Sequence, residues 1–268
     1  MKYLHSEFFF SILFFLGCHS NNQPGEKDPV IIDVSGQSAK VASTTAADEA
    51  DYQYDLASSS HSWKLPEQLI EVSGNTWVDK DHLILIEDLN PNLYLIKIDG
   101  DKAILEKTIP FTNTEKDKLD IEDVTIVDNV VYALWSHGSL FKIKDWNSPN
   151  PQTEKIKTFL KKENNTEGLC YDPTSNKLLL ACKEDPGIKD ADKSTRAVYD
   201  FDVSSNILNK KPYFLIREKD FSKITSKDPE FNPSAIAVHP VTHDIYLLST
   251  RDTKCMAVYS HDGSTLKS

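Results

Sequence analysis

The chain reads as all-β, a β-propeller of four-stranded blades, and three observations point there. First, one pattern recurs: a polar opener, a short apolar strand, a tight turn of Asp, Asn, Pro or His, a second apolar strand and a polar end. It occurs at 71–88 (EVSGNTWVDKDHLILIED), 120–138 (DIEDVTIVDNVVYALWSHG), 164–185 (NNTEGLCYDPTSNKLLLACKED) and 232–252 (NPSAIAVHPVTHDIYLLSTRD). Second, each hairpin is followed by further strand-like segments: LYLIKI and AILEKTIPF, SLFKIK and TEKIKTFL, AVYDFDV and ILNKKPYFLI, then MAVYSHDGSTLKS. They are rich in Val, Ile, Leu and Tyr and bounded by Asp, Asn, Gly and Pro, as strands are. Third, with Gly74, Asp123, Gly168 and Ala235 taken as equivalent, the steps are 49, 45 and 67 residues. The first two fall in the range for propeller blades. Blades that bury both faces against their neighbours account for such units. A β-sandwich is the alternative, and it does not require the same polar opener each time.

The elements follow in chain order. MKYLHSEFFFSILFFLGC has a short polar start, an apolar run from Phe8 to Leu16, and then Gly17-Cys18. That run is too short to span a bilayer and suits a signal-peptide core, read here as 1–17. The Leu16-Gly17-Cys18 end resembles the lipobox of bacterial lipoproteins, which implies lipidation of Cys18 and a place in the bacterial cell envelope, membrane-anchored on the periplasmic or surface side. Residues 18–50 are rich in Ser, Thr, Ala, Asn, Asp and Gln, apart from VIIDV at 30–34, and read as a flexible tether. The propeller domain is expected over 51–268. Its third step is long because of two insertions, 185–195 and 217–231; the second could hold a short helix and reads rather as a surface excursion.

Composition narrows the function classes. Hydrophobic residues make up 39% of the chain and charged residues 26%, enough for a packed core. The net charge of -11 argues against a nucleic-acid partner, since no basic stripe exists to neutralise phosphates. Cys170, Cys182 and Cys255 show no CxxC spacing, so neither a disulfide framework nor a zinc site is expected. Cys170 falls opposite Leu179 in the hairpin and Cys182 lies three residues further on; both read as buried small apolar residues, with a disulfide between them as the alternative. No HExxH, GxSxG, GxGxxG or P-loop occurs. Pro240 separates His239 from His243, which removes a helical zinc pair. Trp63, Trp77, Trp135 and Trp146 are scattered over separate segments, as blade packing requires.

The order YDL (54–56), LPEQLIEVSGNTW (65–77), DIEDVTI (120–126), NTEGLCYDP (165–173) and NPSAIAVHP (232–240) resembles the SdiA-regulated family of bacterial envelope propellers. The resemblance runs from about Tyr54 to Ser268 and implies architecture and location more than chemistry. Asp123 stands where the family tends to have Gly after Glu. Family members usually continue with one more Pro-Glu-Gly-Ile repeat, so five or six blades are expected in a complete chain, with the YDL strand completing the last blade.

In a propeller the first strand of each blade lines the central channel and the second returns antiparallel. The polar openers and ends therefore meet at one face of the disc. The openers are Ser73, Glu122, Glu167 and Ser234. The returning ends are Glu87, Asp88, Ser136, His137, Glu184, Asp185, Arg251 and Asp252. Such a ring suits a hard cation such as Ca2+, with Glu122 and Glu167 as first ligands, or a cationic or polyhydroxylated molecule. His137 is the side chain best placed for acid–base work. Ser73 and Ser234 would need a base in space to act as nucleophiles. The expected function is a membrane-anchored propeller that binds a small-molecule or protein ligand. The rival is a calcium-dependent hydrolase of phosphoester or lactone type.

Overall fold

The computed structural model describes residues 31–33, 61–88, 90–112, 119–222, 230–251 and 254–268. Residues 1–17, Cys18 and the YDL residues 54–56 expected as a strand lie outside the described residues, as does most of the segment read as a tether. Within the tether only β1 (Ile31–Asp33) is described, and it pairs antiparallel with β2 (Ser62–Lys64).

Four antiparallel sheets follow in chain order, and they form the blades of a β-propeller. The first holds β3 (Val72–Trp77), β4 (His82–Glu87), β5 (Asn92–Asp99) and β6 (Lys102–Pro110). The second holds β7 (Ile121–Val127), β8 (Val130–Trp135), β9 (Leu140–Lys144) and β10 (Gln152–Ile156). The third holds β11 (Thr166–Asp172), β12 (Lys177–Cys182) and β13 (Thr195–Asp202), with β14 (Ile207–Leu208) and β15 (Phe214–Arg217) both pairing with β13. The fourth holds β16 (Pro233–Val238), β17 (Ile245–Ser249) and β18 (Cys255–Tyr259). Beyond it the chain runs back along β18: Leu266 bridges Tyr259, and the Lys267 N–H donates to the Val258 carbonyl at 2.7 Å. The inner strands β3, β7, β11 and β16 stand side by side in that order.

The sequence builds these hairpins locally. Asp128 and Asn129 form the two-residue turn between β7 and β8, both at positive φ, as a type I′ hairpin needs. The second strands read as unbroken apolar runs because each buries both faces. Ile84 and Ile86 face the second blade, with Val124, Val131, Ala133 and Phe141. Leu83 and Leu85 face the other way, under Trp63, Leu65 and Leu69. Leu178 and Leu180 join Tyr132 and Leu134 between the second and third blades. Leu179 and Ala181 join Ile236, Ile245 and Leu247 between the third and fourth. Cys170 belongs to that last cluster and Cys182 to the preceding one, so they occupy opposite faces of one blade, and both are free thiols. Cys170 pairs with Leu179, as expected.

Residues 74, 123, 168 and 235 are equivalent in space, and the reason is close approach. A Cβ on Gly74 would lie 2.5 Å from Asp123 Oδ1 and 2.6 Å from its Cα. One on Gly168 would lie 3.1 Å from the Ala235 carbonyl carbon. Inner strands of neighbouring blades touch here, so each seam uses a small side or a buried partner. Of the 217–231 insertion, residues 217–222 and 230–231 are described, and they show the short helix that the sequence allowed rather than the surface excursion it favoured. The insertion begins with one helical turn, α1 (Glu218–Phe221), and buries Phe221 and Phe231, stacked with ring centroids 5.0 Å apart. Two aromatic rings in one short segment gain more from burial than the loop loses in freedom.

Candidate functional site

The four openers share one structural device. The pairing register shifts between Val72 and Gly74, Ile121 and Asp123, Thr166 and Gly168, and Pro233 and Ala235. Ser73, Glu122, Glu167 and Ser234 are therefore each the extra residue of a β-bulge at the same end of an inner strand. A bulge leaves one residue outside the ladder and re-aims its side chain. Here it does so once per blade.

The bulge also selects each opener's neighbour. The strand opposite ends at Glu87, Trp135, Cys182 and Ser249, so the next residues along the chain at the openers' end are Asp88, Ser136, Lys183 and Thr250. In the third blade this makes an ion pair. Lys183 Nζ donates to Glu167 Oε1 at 2.8 Å and Oε2 at 2.6 Å, and Asn165 Nδ2 adds a bond to Oε1 at 3.1 Å. In the fourth, Ser234 Oγ lies 3.0 Å from Thr250 Oγ1 and donates to the Leu248 carbonyl at 3.2 Å. In the first, Ser73 Oγ donates to the Ile121 carbonyl at 2.6 Å, which ties its blade to the next. Neither serine has a histidine among these partners, so neither is set up as a nucleophile.

Glu122 is the chemically distinctive group. Burial pushes its carboxyl up to about 9, and the negative charges of Glu167, Asp120 and Asp88 add to that while Lys183 opposes it. It is therefore a neutral acid at pH 7, able to donate a hydrogen bond. Burial also raises Glu167, and it outweighs the nearby Lys183 and the Asn165 hydrogen bond. Asp123 lies behind the rim, fully enclosed. Its Oδ1 accepts from the Val124 N–H at 2.8 Å and its Oδ2 from the Leu169 N–H of the next blade at 2.7 Å. Burial holds its pKa well above the usual carboxylate range.

The other expected residues are placed differently. Glu87 is turned into the first blade, accepting from Tyr94 Oη at 2.8 Å and the Ile70 N–H at 3.2 Å. Glu184 pairs with Arg251 across the third seam at 3.1 Å, both side chains exposed. Asp185 Oδ1 accepts from the Gly187 N–H at 2.7 Å and braces a turn. His137 stacks on Trp135 with centroids 4.4 Å apart, and Lys155 Nζ lies 3.9 Å from that same indole's centroid. Asp252 lies outside the described residues. Among the described residues no group of three or more His, Cys, Asp or Glu is positioned to hold a metal ion. The structure thus draws Glu122, Glu167, Asp120 and Asp88 together with Lys183. Lys183 was not anticipated as a site residue, although a count along the hairpin from Glu167 reaches it.

Fold and rim together define a β-propeller with bulged openers at one end of its inner strands. No protein-family model matches the chain, and no curated protein matches it. Similar solved structures are found at low identity. One is a protein of unknown function from Bacteroides thetaiotaomicron, 11% identical, covering 72% of this chain and 42% of that one, with a TM-score of 0.47. A second is virginiamycin B lyase from Staphylococcus aureus, 10% identical, covering 73% and 55%, with a TM-score of 0.46. A third is a nidogen/laminin complex, 10% identical, covering 73% and 63%, with a TM-score of 0.49. This chain spans between 42% and 63% of the length of those three.

Proposed function

We propose that the chain is a binding module, held to a membrane through a lipid on Cys18, that receives its ligand at the rim of bulged openers. The observation that carries this reading is the repetition of one bulge in four blades, which turns Ser73, Glu122, Glu167 and Ser234 out of the ladder at equivalent places. Bulges re-aim a side chain and recur beside binding sites. The resemblance to the SdiA-regulated family supports the envelope location and leaves the ligand open.

The chemistry of the rim favours a ligand bearing a positive charge, hydroxyl groups, or both. A cation approaching Glu122 stabilises its ionised form, so binding near neutral pH releases a proton. A calcium-dependent hydrolase has less behind it: Lys183 already supplies Glu167 with a positive partner. The test is calorimetric titration with a panel of amines, polyols and calcium at pH 7.5, in two buffers of different ionisation heat. Binding of an amine with proton release, lost in Glu122→Gln, is the expected result. Turnover of phosphoesters or lactones that requires calcium and disappears in Glu167→Ala overturns the binding reading. The anchor is tested separately: Cys18→Ser should move the protein from the membrane to the soluble envelope fraction, and unchanged membrane association removes that part.

A further inference from the structure

Away from the bulged openers, the seam between the third and fourth blades contains a buried positive charge that has no counter-charge among the described residues. Arg196, near the start of β13, is 7% exposed, and Asn232, just before β16, is 2% exposed. Arg196 Nε and Nη2 both donate to Asn232 Oδ1, at 3.1 and 2.7 Å. Nη1 donates to the Lys193 and Thr195 carbonyls at 2.6 and 3.1 Å. Every one of these acceptors is neutral, and among the described residues Arg196 forms no ion pair. Contrast the other cations of this side: Lys183 has Glu167 and Arg251 has Glu184. Buried charges are ordinarily paired, because desolvation is otherwise uncompensated.

A second, independent observation lies beside it. Asn232 Nδ2 is buried and has no hydrogen-bond acceptor. Its orientation is fixed, since Oδ1 must face the guanidinium. Nδ2 shares the amide carbon with Oδ1, so it lies close to the guanidinium edge that Oδ1 faces. A planar guanidinium edge beside an amide donor is the arrangement that recognises a carboxylate oxygen or a halide. An orphaned buried donor next to an uncompensated cation calls for an acceptor with negative charge.

We propose that Arg196 and Asn232 form a site for a small monoanion, a halide or the carboxylate of a bound molecule, at this seam. The anion accepts from Nη2 and Nδ2 and neutralises the guanidinium. The site is independent of what the bulged openers bind. Because it ties β13 to the start of β16, occupancy stabilises the contact between the two blades.

The test is thermal unfolding of the full chain in sodium acetate and, separately, sodium chloride, from 1 to 100 mM, with ionic strength held by a bulky sulfonate. The wild-type midpoint should climb linearly with the logarithm of anion concentration once the site begins to fill, by several degrees across the series. A rise with both anions identifies free-ion chemistry, and a rise with acetate alone identifies a carboxylate site; either upholds the proposal. Asn232→Asp supplies a carboxylate in place, so its midpoint should start higher and stay flat. A flat wild type, or Asn232→Asp climbing in parallel with it, overturns the proposal. Chlorine-35 NMR of the wild type needs no variant: line broadening displaced by acetate supports the site, and broadening that acetate leaves unchanged counts against it.

Discussion

At the residue scale the rim holds two carboxyls, Glu122 and Glu167, above their ordinary pKa. The folded Glu122 titrates near 9 against an ordinary 4.5, so the native state holds its proton more tightly than the unfolded chain does. Its contribution is fully present below 4.5 and is lost as the pH rises through 9. Urea unfolding across that window should show stability declining with pH, and Glu122→Gln should flatten the decline. Asp172 works the other way. Burial pushes its pKa up, but donation from Ser175, His261 and Thr174 outweighs burial and holds it below the usual range. The stability it contributes is therefore present above an ordinary carboxylate pKa and lost as the pH falls through the lowered value. His261 Nε2 lies 2.8 Å from Asp172 Oδ2, so His261→Ala should move acid unfolding to higher pH. The Lys183–Glu167 pair, with side chains 16% and 13% exposed, is too enclosed to count as a surface pair. Lys183→Met should cost about 2 kcal/mol in urea unfolding at pH 7, midway between exposed and buried pairs. Adding Glu167→Gln should restore part of that loss, since the stranded carboxylate is then gone.

At the scale of the element, the inner strand is the unit that combines packing with the rim. Its bulge turns one residue out, and the next residue meets the neighbouring blade. Gly74 is the sharpest case, because even a methyl group collides with Asp123. Gly74→Ala should destabilise by about 1–3 kcal/mol, the usual cost of overpacking, measured by urea unfolding. The hairpins were legible in the sequence for physical reasons. HLILIE, VVYALW and KLLLAC are unbroken apolar runs because both faces are buried, and Asp128-Asn129 accepts positive φ. The openers were legible as a repeated polar position, but the bulge itself was not, since a register shift depends on the partner strand. Lys183 followed from that unseen shift. Arg196 and Asn232 were illegible for a different reason: 36 residues and an insertion separate them, and no local rule says where a long loop returns. The split of the third blade's outer strand into β14 and β15 likewise depends on what β13 leaves unpaired.

At the scale of the whole molecule, each blade contributes opposite faces to two different cores. The thiols report on this. Cys170 and Cys182 point into different seams of one blade and are fully enclosed, while Cys255 at the start of β18 is half-buried. Burial raises the pKa of all three, which slows their reaction. In a Cys18→Ser background, a maleimide under native conditions should label Cys255 first, and Cys170 and Cys182 together only on unfolding. Mass spectrometry of labelled peptides reads the order. Early, separate labelling of Cys182 would mean that the second seam opens by itself.

The placement of β2 has a mechanical consequence. β2 packs beside β6, the outermost strand of the first blade, and Trp63 Nε1 donates to the Gly100 carbonyl at 2.8 Å, at the tip of the β5–β6 turn. Any pull transmitted from the N-terminal side of the chain therefore enters at the periphery of the disc. It must extract an indole from a packed cluster before it reaches β3, the inner strand that follows β2 in the chain. Trp63 acts as a strain relief, much as a clamp protects a cable where it enters a housing: while its indole holds, drag on the chain stays at the outer edge and does not reach β3 and its Ser73 bulge.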